Sequence, residues 1–195
     1  AGTGASGGVT IAGTNSFSGN DDYGLWIASR GTVSLENVTA GGNKTEDGVS
    51  IDNAAGTGSV ALTGTQTFTN NGNGDGDDGL YIRSQGNVSL AGVVATGNKD
   101  EGVEIDNTPG TASATVQIGG TNVFTGNVGT GLLIYSEGNV GLNNVTANTN
   151  TNNGVYIENY NSTTNGTVNL TGTNNFVGNT NNGLYIRSKG AITLS

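Results

Sequence analysis

Four pairs of acidic residues are the side chains best suited to chemistry in this sequence: Asp21/Asp22, Glu46/Asp47, Asp77/Asp78 and Asp100/Glu101. Two carboxyl groups held together can act as the acid and base of glycoside hydrolysis. They can also hold a hard cation, since Ca²⁺ takes about six to eight oxygen ligands of this kind. Each pair stands just before a glycine that opens a similar phrase, as in "NDDYGLWI" and "DGDDGLYI". Then the acids stop, and Gly129/Thr130, Asn152/Asn153 and Asn181/Asn182 hold the corresponding places. The chain has no His and no Cys, so imidazole bases, thiolate metal sites and disulfides are excluded. Lys and Arg number 6 against 15 Asp and Glu, a net charge of -9. That balance excludes the basic face a nucleic-acid binder needs. No run approaches the roughly 20 apolar residues of a membrane-spanning helix.

A repeat positions the acids. The pattern Gly-apolar-x-Ile occurs at Gly24, Gly48, Gly79, Gly102, Gly131, Gly154 and Gly183, at intervals of 24, 31, 23, 29, 23 and 29. Short and long intervals alternate, so the period is a pair of 55, 52 and 52 residues. Each interval carries three short alternating patterns. The first is the Gly-apolar-x-Ile group. The second is Val-x-Leu or a close variant, from Val9/Ile11 to Ile192/Leu194. The third ends in Ala40, Ala95 or Ala147 in short coils and in Phe17, Phe68, Phe124 or Phe176 in long ones. Period-2 alternation over so few residues predicts half-buried strands. The 36 Gly and the many Asn oppose helix. Three strands per 23 to 31 residues predict an all-β fold, a right-handed parallel β-helix of about seven coils. Ala and Phe then alternate up the core, letting large and small residues interdigitate.

Three residues after each Ala or Phe stands an asparagine: Asn20, Asn43, Asn71, Asn98, Asn127, Asn150 and Asn179. Seven hits at equivalent places predict a structural ladder of stacked amides. Asn also suits a left-handed corner. The glycine opening each phrase reads as a turn residue. Polar Asn15, Gln66, Asn122 and Asn174 fall where alternation points inward, which predicts a bend or bulge there.

"TGNTNNGLYI" and its relatives resemble the parallel β-helix repeats of the pectin-lyase-like superfamily, especially those of large secreted bacterial surface proteins. The resemblance covers essentially the whole chain. It implies the fold and an extracellular or cell-surface location. It leaves activity open, because such repeats serve lyases, hydrolases, phage spikes and adhesins alike.

Catalysis is not expected. The acids recur through coil after coil, whereas a catalytic site interrupts a repeat. Arg30, Arg83 and Arg187 also recur beside one corner. The two ends match the middles of coils, so residues 1–195 read as a single segment of a longer array. The expected role is a stalk, filament or adhesin shaft. Unpaired backbone at the end coils would stack on other copies or on adjoining repeats.

Two binding readings stand beside this. The outward residues of the Gly-apolar-x-Ile strand are Trp26, Ser50, Tyr81, Glu104, Leu133, Tyr156 and Tyr185. Trp26, Tyr81, Tyr156 and Tyr185 could stack on glycans or pack against another rod. Aromatics also simply suit strands. The outward Val-x-Leu row, from Thr10 and Ser34 to Asn169 and Thr193, is too mixed for a regular ice-binding surface. For calcium, the candidates are Asp47, Asp75, Asp77, Asp78 and Glu101. The loop "NGNGDGDDG" begins Asn71-x-Asn73-x-Asp75-Gly76, partly like a calcium loop, but Ile82 stands where a bidentate Glu belongs. The alternative is a hydrated acidic edge.

Overall fold

The computed structural model describes residues 7–74, 76–110, 114–160 and 165–195. Among them every regular element is a strand, and the strands form three parallel sheets. One coil shows the plan. Val60–Thr63 lies in the first sheet, Gln66–Thr69 in the second and Leu80–Ser84 in the third. The three sheets have eight, six and seven strands among the described residues. Every pairing joins one coil to the next, as in Val33↔Val60, Ala40↔Phe68 and Ile51↔Ile82.

Strict register puts like on like. Val60, Leu62, Phe68, Leu80 and Ile82 are all buried, and so are their counterparts in neighbouring coils. The Ala–Phe alternation is present: Phe68 pairs with Ala40 below and Ala95 above. No helix of the described residues is long and apolar enough to cross a membrane.

The corners differ from expectation. The ladder asparagines do not take the left-handed conformation. The residue just before each one does: Gly19, Gly42, Asn70, Gly97, Gly126, Thr149 and Gly178 all have positive φ. The reversal happens one residue early, which leaves the Asn free to turn its amide into the core. The glycine opening each phrase has no positive φ either. It is required by close approach: a Cβ on Gly79 would lie 2.5 Å from the Gly102 carbonyl oxygen and 2.6 Å from Asn98 Nδ2.

Asn15, Gln66, Asn122 and Asn174 do follow alternation. Gln66 and Asn122 are fully buried. The bend lies two residues earlier, at positive-φ Gly13, Gly64, Gly120 and Gly172. Short coils make the same corner with Asn37, Gly92 and Asn144, also at positive φ.

Candidate functional site

The asparagine column is continuous. Nδ2 of Asn20, Asn43, Asn71, Asn98, Asn127 and Asn150 donates to Oδ1 of the next Asn at 2.9–3.0 Å. Each Oδ1 also accepts the backbone N–H of the preceding Asn. From Asn71 onward, Nδ2 donates a second bond downward to Ala40, Phe68, Ala95, Phe124 or Ala147. A buried amide with both donors and its oxygen engaged is a structural part. Asn71 is therefore unavailable as a cation ligand.

A second buried polar row ends the third-sheet strands. It alternates Ser84, Asn107, Ser136 and Asn159. Ser84 Oγ accepts the Gly86 N–H, and Asn107 Nδ2 donates to the Ser84 and Gly86 carbonyls. In the sequence it shows as Ser or Asn two residues after each Ile of the repeat.

The acidic column is internal, not a hydrated edge. Asp47, Asp77, Asp78 and Glu101 are all buried. Asp47 Oδ1 accepts the N–H of Asp78, Asp78 Oδ1 that of Glu101, and Glu101 Oε1 that of Thr130. These carboxyls run a ladder parallel to the asparagines, which Asn153 continues by accepting from Asn182. Asp21 and Asp22 are outside it, because Tyr23 precedes the glycine of that coil. Asp21 is instead an exposed partner of Lys44. Asp77 serves the long loop, accepting the N–H of Asn73 and Gly74 at 2.8 and 3.0 Å. Asp75 lies outside the described residues.

Burial raises the proton affinity of Asp47, Asp78, Glu101 and Glu104. It pushes the Asp47 carboxyl up to about 6. Asp78 is raised well above the ordinary carboxylate range, by burial and then by Asp47 and Glu101. Glu101 rises to about 8, through burial and a hydrogen bond with Asp100. Glu104 rises to about 7, through burial and then Asp100 and Asp106. Among the described residues, oxygens of Asp78, Asp100 and Glu101 lie within 4.8 Å of one another, so these three are placed to share a cation.

The outward row of the third sheet runs in the expected register, Trp26↔Ser50↔Tyr81↔Glu104↔Leu133↔Tyr156↔Tyr185. It does not make one aromatic patch. Ser50 separates Trp26 from Tyr81, and Glu104 and Leu133 separate Tyr81 from Tyr156. Tyr156 and Tyr185 stack, with ring centroids 4.7 Å apart and planes 9° from parallel. Tyr135 joins them, tilted, with its centroid 6.1 Å from that of Tyr156. The neighbouring outward row pairs charges across coils. Arg83 meets Asp106 and Arg187 meets Glu158, each at 3.3 Å. Arg30 is not equivalent to these arginines, since Ala28 aligns with Asp52 and Asp52 with Arg83.

Beside the tyrosines lies a groove of about 250 Å³, lined by Glu101, Thr130, Leu133, Tyr135, Asn152, Asn153 and Tyr156. Sequence spacing pointed to Tyr156 but missed Tyr135, which sits one row across, next to Glu158.

Three parallel sheets wound around one apolar core define a β-solenoid. The chain belongs to the right-handed β-helix family, whose model for the right handed beta helix region matches residues 3–170. No curated protein and no solved structure matches it.

Proposed function

We propose that the chain is a non-catalytic structural segment of a secreted or cell-surface β-solenoid, a stalk, filament or adhesin shaft. The observation supporting this reading is the asparagine column, which passes through all seven coils without a break. The energy of this fold is spent on uniform stacking, with buried amides and carboxyls used to bond one coil to the next. The outermost strands, such as Ile192–Leu194, offer backbone donors and acceptors for adjoining repeats or another copy. Surface labelling of intact cells with an antibody to this segment tests location. Light scattering against concentration tests end-to-end association, and a strictly monomeric species at high concentration speaks against it. Release of reducing or unsaturated ends from a panel of polysaccharides would overturn the non-catalytic assignment.

A second reading is supported by the stacked tyrosines. In it the third-sheet face of the shaft binds glycans, as an adhesin does.

A further inference from the structure

Three features of the fold compete for a role beyond the stacking itself. In the acid cluster, Asp78 and Glu101 are accounted for by hydrogen bonds along their own column, and Asp100 accepts the N–H of Gly76 in the long loop. The polar trough of the first sheet, between Gln117, Asn143 and Asn169, lacks an aromatic wall. The groove at Tyr135 and Tyr156 differs from both, because it joins an apolar wall, a rigid ring and polar groups in one place.

We propose that this groove is a subsite for uncharged glycans, with a sugar ring lying against Tyr156 and charged uronates rejected. The proposal rests on the second reading above and narrows it to one place on the third sheet. Sugar rings have apolar C–H faces and polar rims, so a matching site needs an aromatic wall flanked by amides and carboxyls. Leu133, Tyr135 and Tyr156 supply the wall. Asn152 and Glu101 supply the polar rim.

The wall is pre-organised. Tyr156 stacks on Tyr185, and its hydroxyl donates to Glu158 Oε2 at 2.9 Å. A ring held in place before binding loses little freedom on binding, which favours affinity. It also stands on a strand locked between two neighbours, which positions it better than a loop.

Charge sets the class of sugar. Glu104 adjoins Leu133 in the next strand, and Glu158 adjoins Tyr135. The Arg187 guanidinium is already engaged by Glu158 and lies 4.2 Å from the centre of the Tyr160 ring. At pH 8.5, above the values of about 8 and 7 to which Glu101 and Glu104 are raised, a uronate would thus bring its carboxylate among ionised acids, on a chain with 15 Asp and Glu against 6 Lys and Arg. A hydroxyl-only sugar meets no such penalty.

Calorimetry on the whole chain at pH 8.5 tests this with cellohexaose, xylohexaose, mannohexaose, chitohexaose and hexagalacturonate. At least one neutral hexasaccharide is expected to bind with a Kd between about 10 μM and 1 mM, a range typical of small ligands in shallow sites. Hexagalacturonate is expected to give no heat. Tyr156→Ala is expected to weaken binding about tenfold or more, as loss of a central aromatic anchor does. Tyr156→Phe, which keeps the ring and its stacking on Tyr185 but loses the bond to Glu158, is expected to weaken binding less than Tyr156→Ala, and Trp26→Ala, at the far end of the same row, leaves it unchanged. Should Tyr156→Ala fail to fold, Leu133→Glu places a charge in the groove and must give the same loss. Binding that survives Tyr156→Ala but is lost in Trp26→Ala overturns the groove and leaves the glycan reading standing. Preference for hexagalacturonate overturns the proposed class of sugar. No heat with any of the five overturns groove and glycan reading together, and leaves the shaft assignment untouched.

Discussion

The side-chain oxygen of Gln66 accepts the backbone N–H of Val38, one coil earlier, at 3.0 Å. The same relation joins Asn122 to Val93 and Asn174 to Val145. It follows from a mismatch in length. Leu62 to Phe68 takes six steps, while Leu35 to Ala40 takes five. The extra residue in the long coil's corner displaces the carbonyl that would otherwise receive the Val38 N–H. The inward amide replaces that carbonyl, and its Nε2 donates to the Thr63 carbonyl.

Gln66→Leu keeps the bulk and removes the acceptor. A buried N–H without a partner costs about 1–3 kcal/mol. Urea denaturation should show a loss of that size with an unchanged m-value. Gln66→Asn should retain most of the stability, because Asn makes the equivalent bond in two other coils.

The asparagine column makes a sharper demand at its middle than at its end. Asn98→Ala leaves the Asn71 N–H, the Asn71 amide and the Phe68 carbonyl each short of a partner. Orphaned buried groups cost about 1–3 kcal/mol each, so we expect a total loss of about 3 kcal/mol or more. Asn20 is exposed, and among the described residues nothing donates to its side chain from below. Asn20→Ala should cost about 1 kcal/mol, the net worth of an ordinary hydrogen bond. Equal losses at the two positions would contradict the ladder as a cooperative column.

The register was legible because a solenoid writes the same constraint many times over. One coil would not have distinguished Asn98 from any polar turn residue; seven coils did. The true corner residue was also written, in the pairs Gly19-Asn20, Gly42-Asn43, Gly97-Asn98, Gly126-Asn127 and Gly178-Asn179. The acids were read less well. Charged side chains in turns are ordinarily solvated, and nothing local to Asp78 says otherwise. Its burial depends on the coils above and below, whose backbone N–H groups need acceptors. Tyr135 escaped for a similar reason. It is the sole aromatic of its row, and it matters through Tyr156 in the next coil, 21 residues away in sequence.

Thr149 occupies the corner position that glycine holds in five coils, with φ at 54°. A β-branched residue is poorly suited to this region. The left-handed conformation costs an ordinary L-residue roughly 1–2 kcal/mol. Thr149 is exposed, so little packing is lost on removing its side chain. Thr149→Gly relieves the strain, while the freer unfolded chain returns roughly 0.5–1 kcal/mol of that gain. The expected net effect is a stabilisation of about 0.5–1 kcal/mol, visible as a raised melting temperature.

Stability should fall as pH rises through neutrality. Asp47, Glu101 and Glu104 have folded-state values raised to about 6, 8 and 7, and Asp78 is raised well above the usual carboxylate range. A group raised in the folded state binds its proton more tightly there than in the unfolded chain. Its contribution is fully present below the unfolded value, near 4. It is lost as pH rises through the folded values, because the folded state then keeps buried negative charges that the unfolded chain solvates. The melting temperature should therefore be higher at pH 5 than at pH 8.5. Asp78→Asn should flatten that slope and raise the melting temperature at pH 8.5. Asn keeps an oxygen for the Glu101 N–H, as Asn153 does for Asn182 in the same column. Calcium tests the other means of neutralising these oxygens. A melting temperature at pH 8.5 that rises with millimolar Ca²⁺ in the natural chain, but not in Asp78→Asn, marks a cation shared by Asp78, Asp100 and Glu101. An unmoved one identifies the buried acids as proton-holding rungs of the coil-to-coil ladder. A slope of the opposite sign, with stability rising between pH 5 and pH 8.5, would mean that the column is ionised and compensated within the fold.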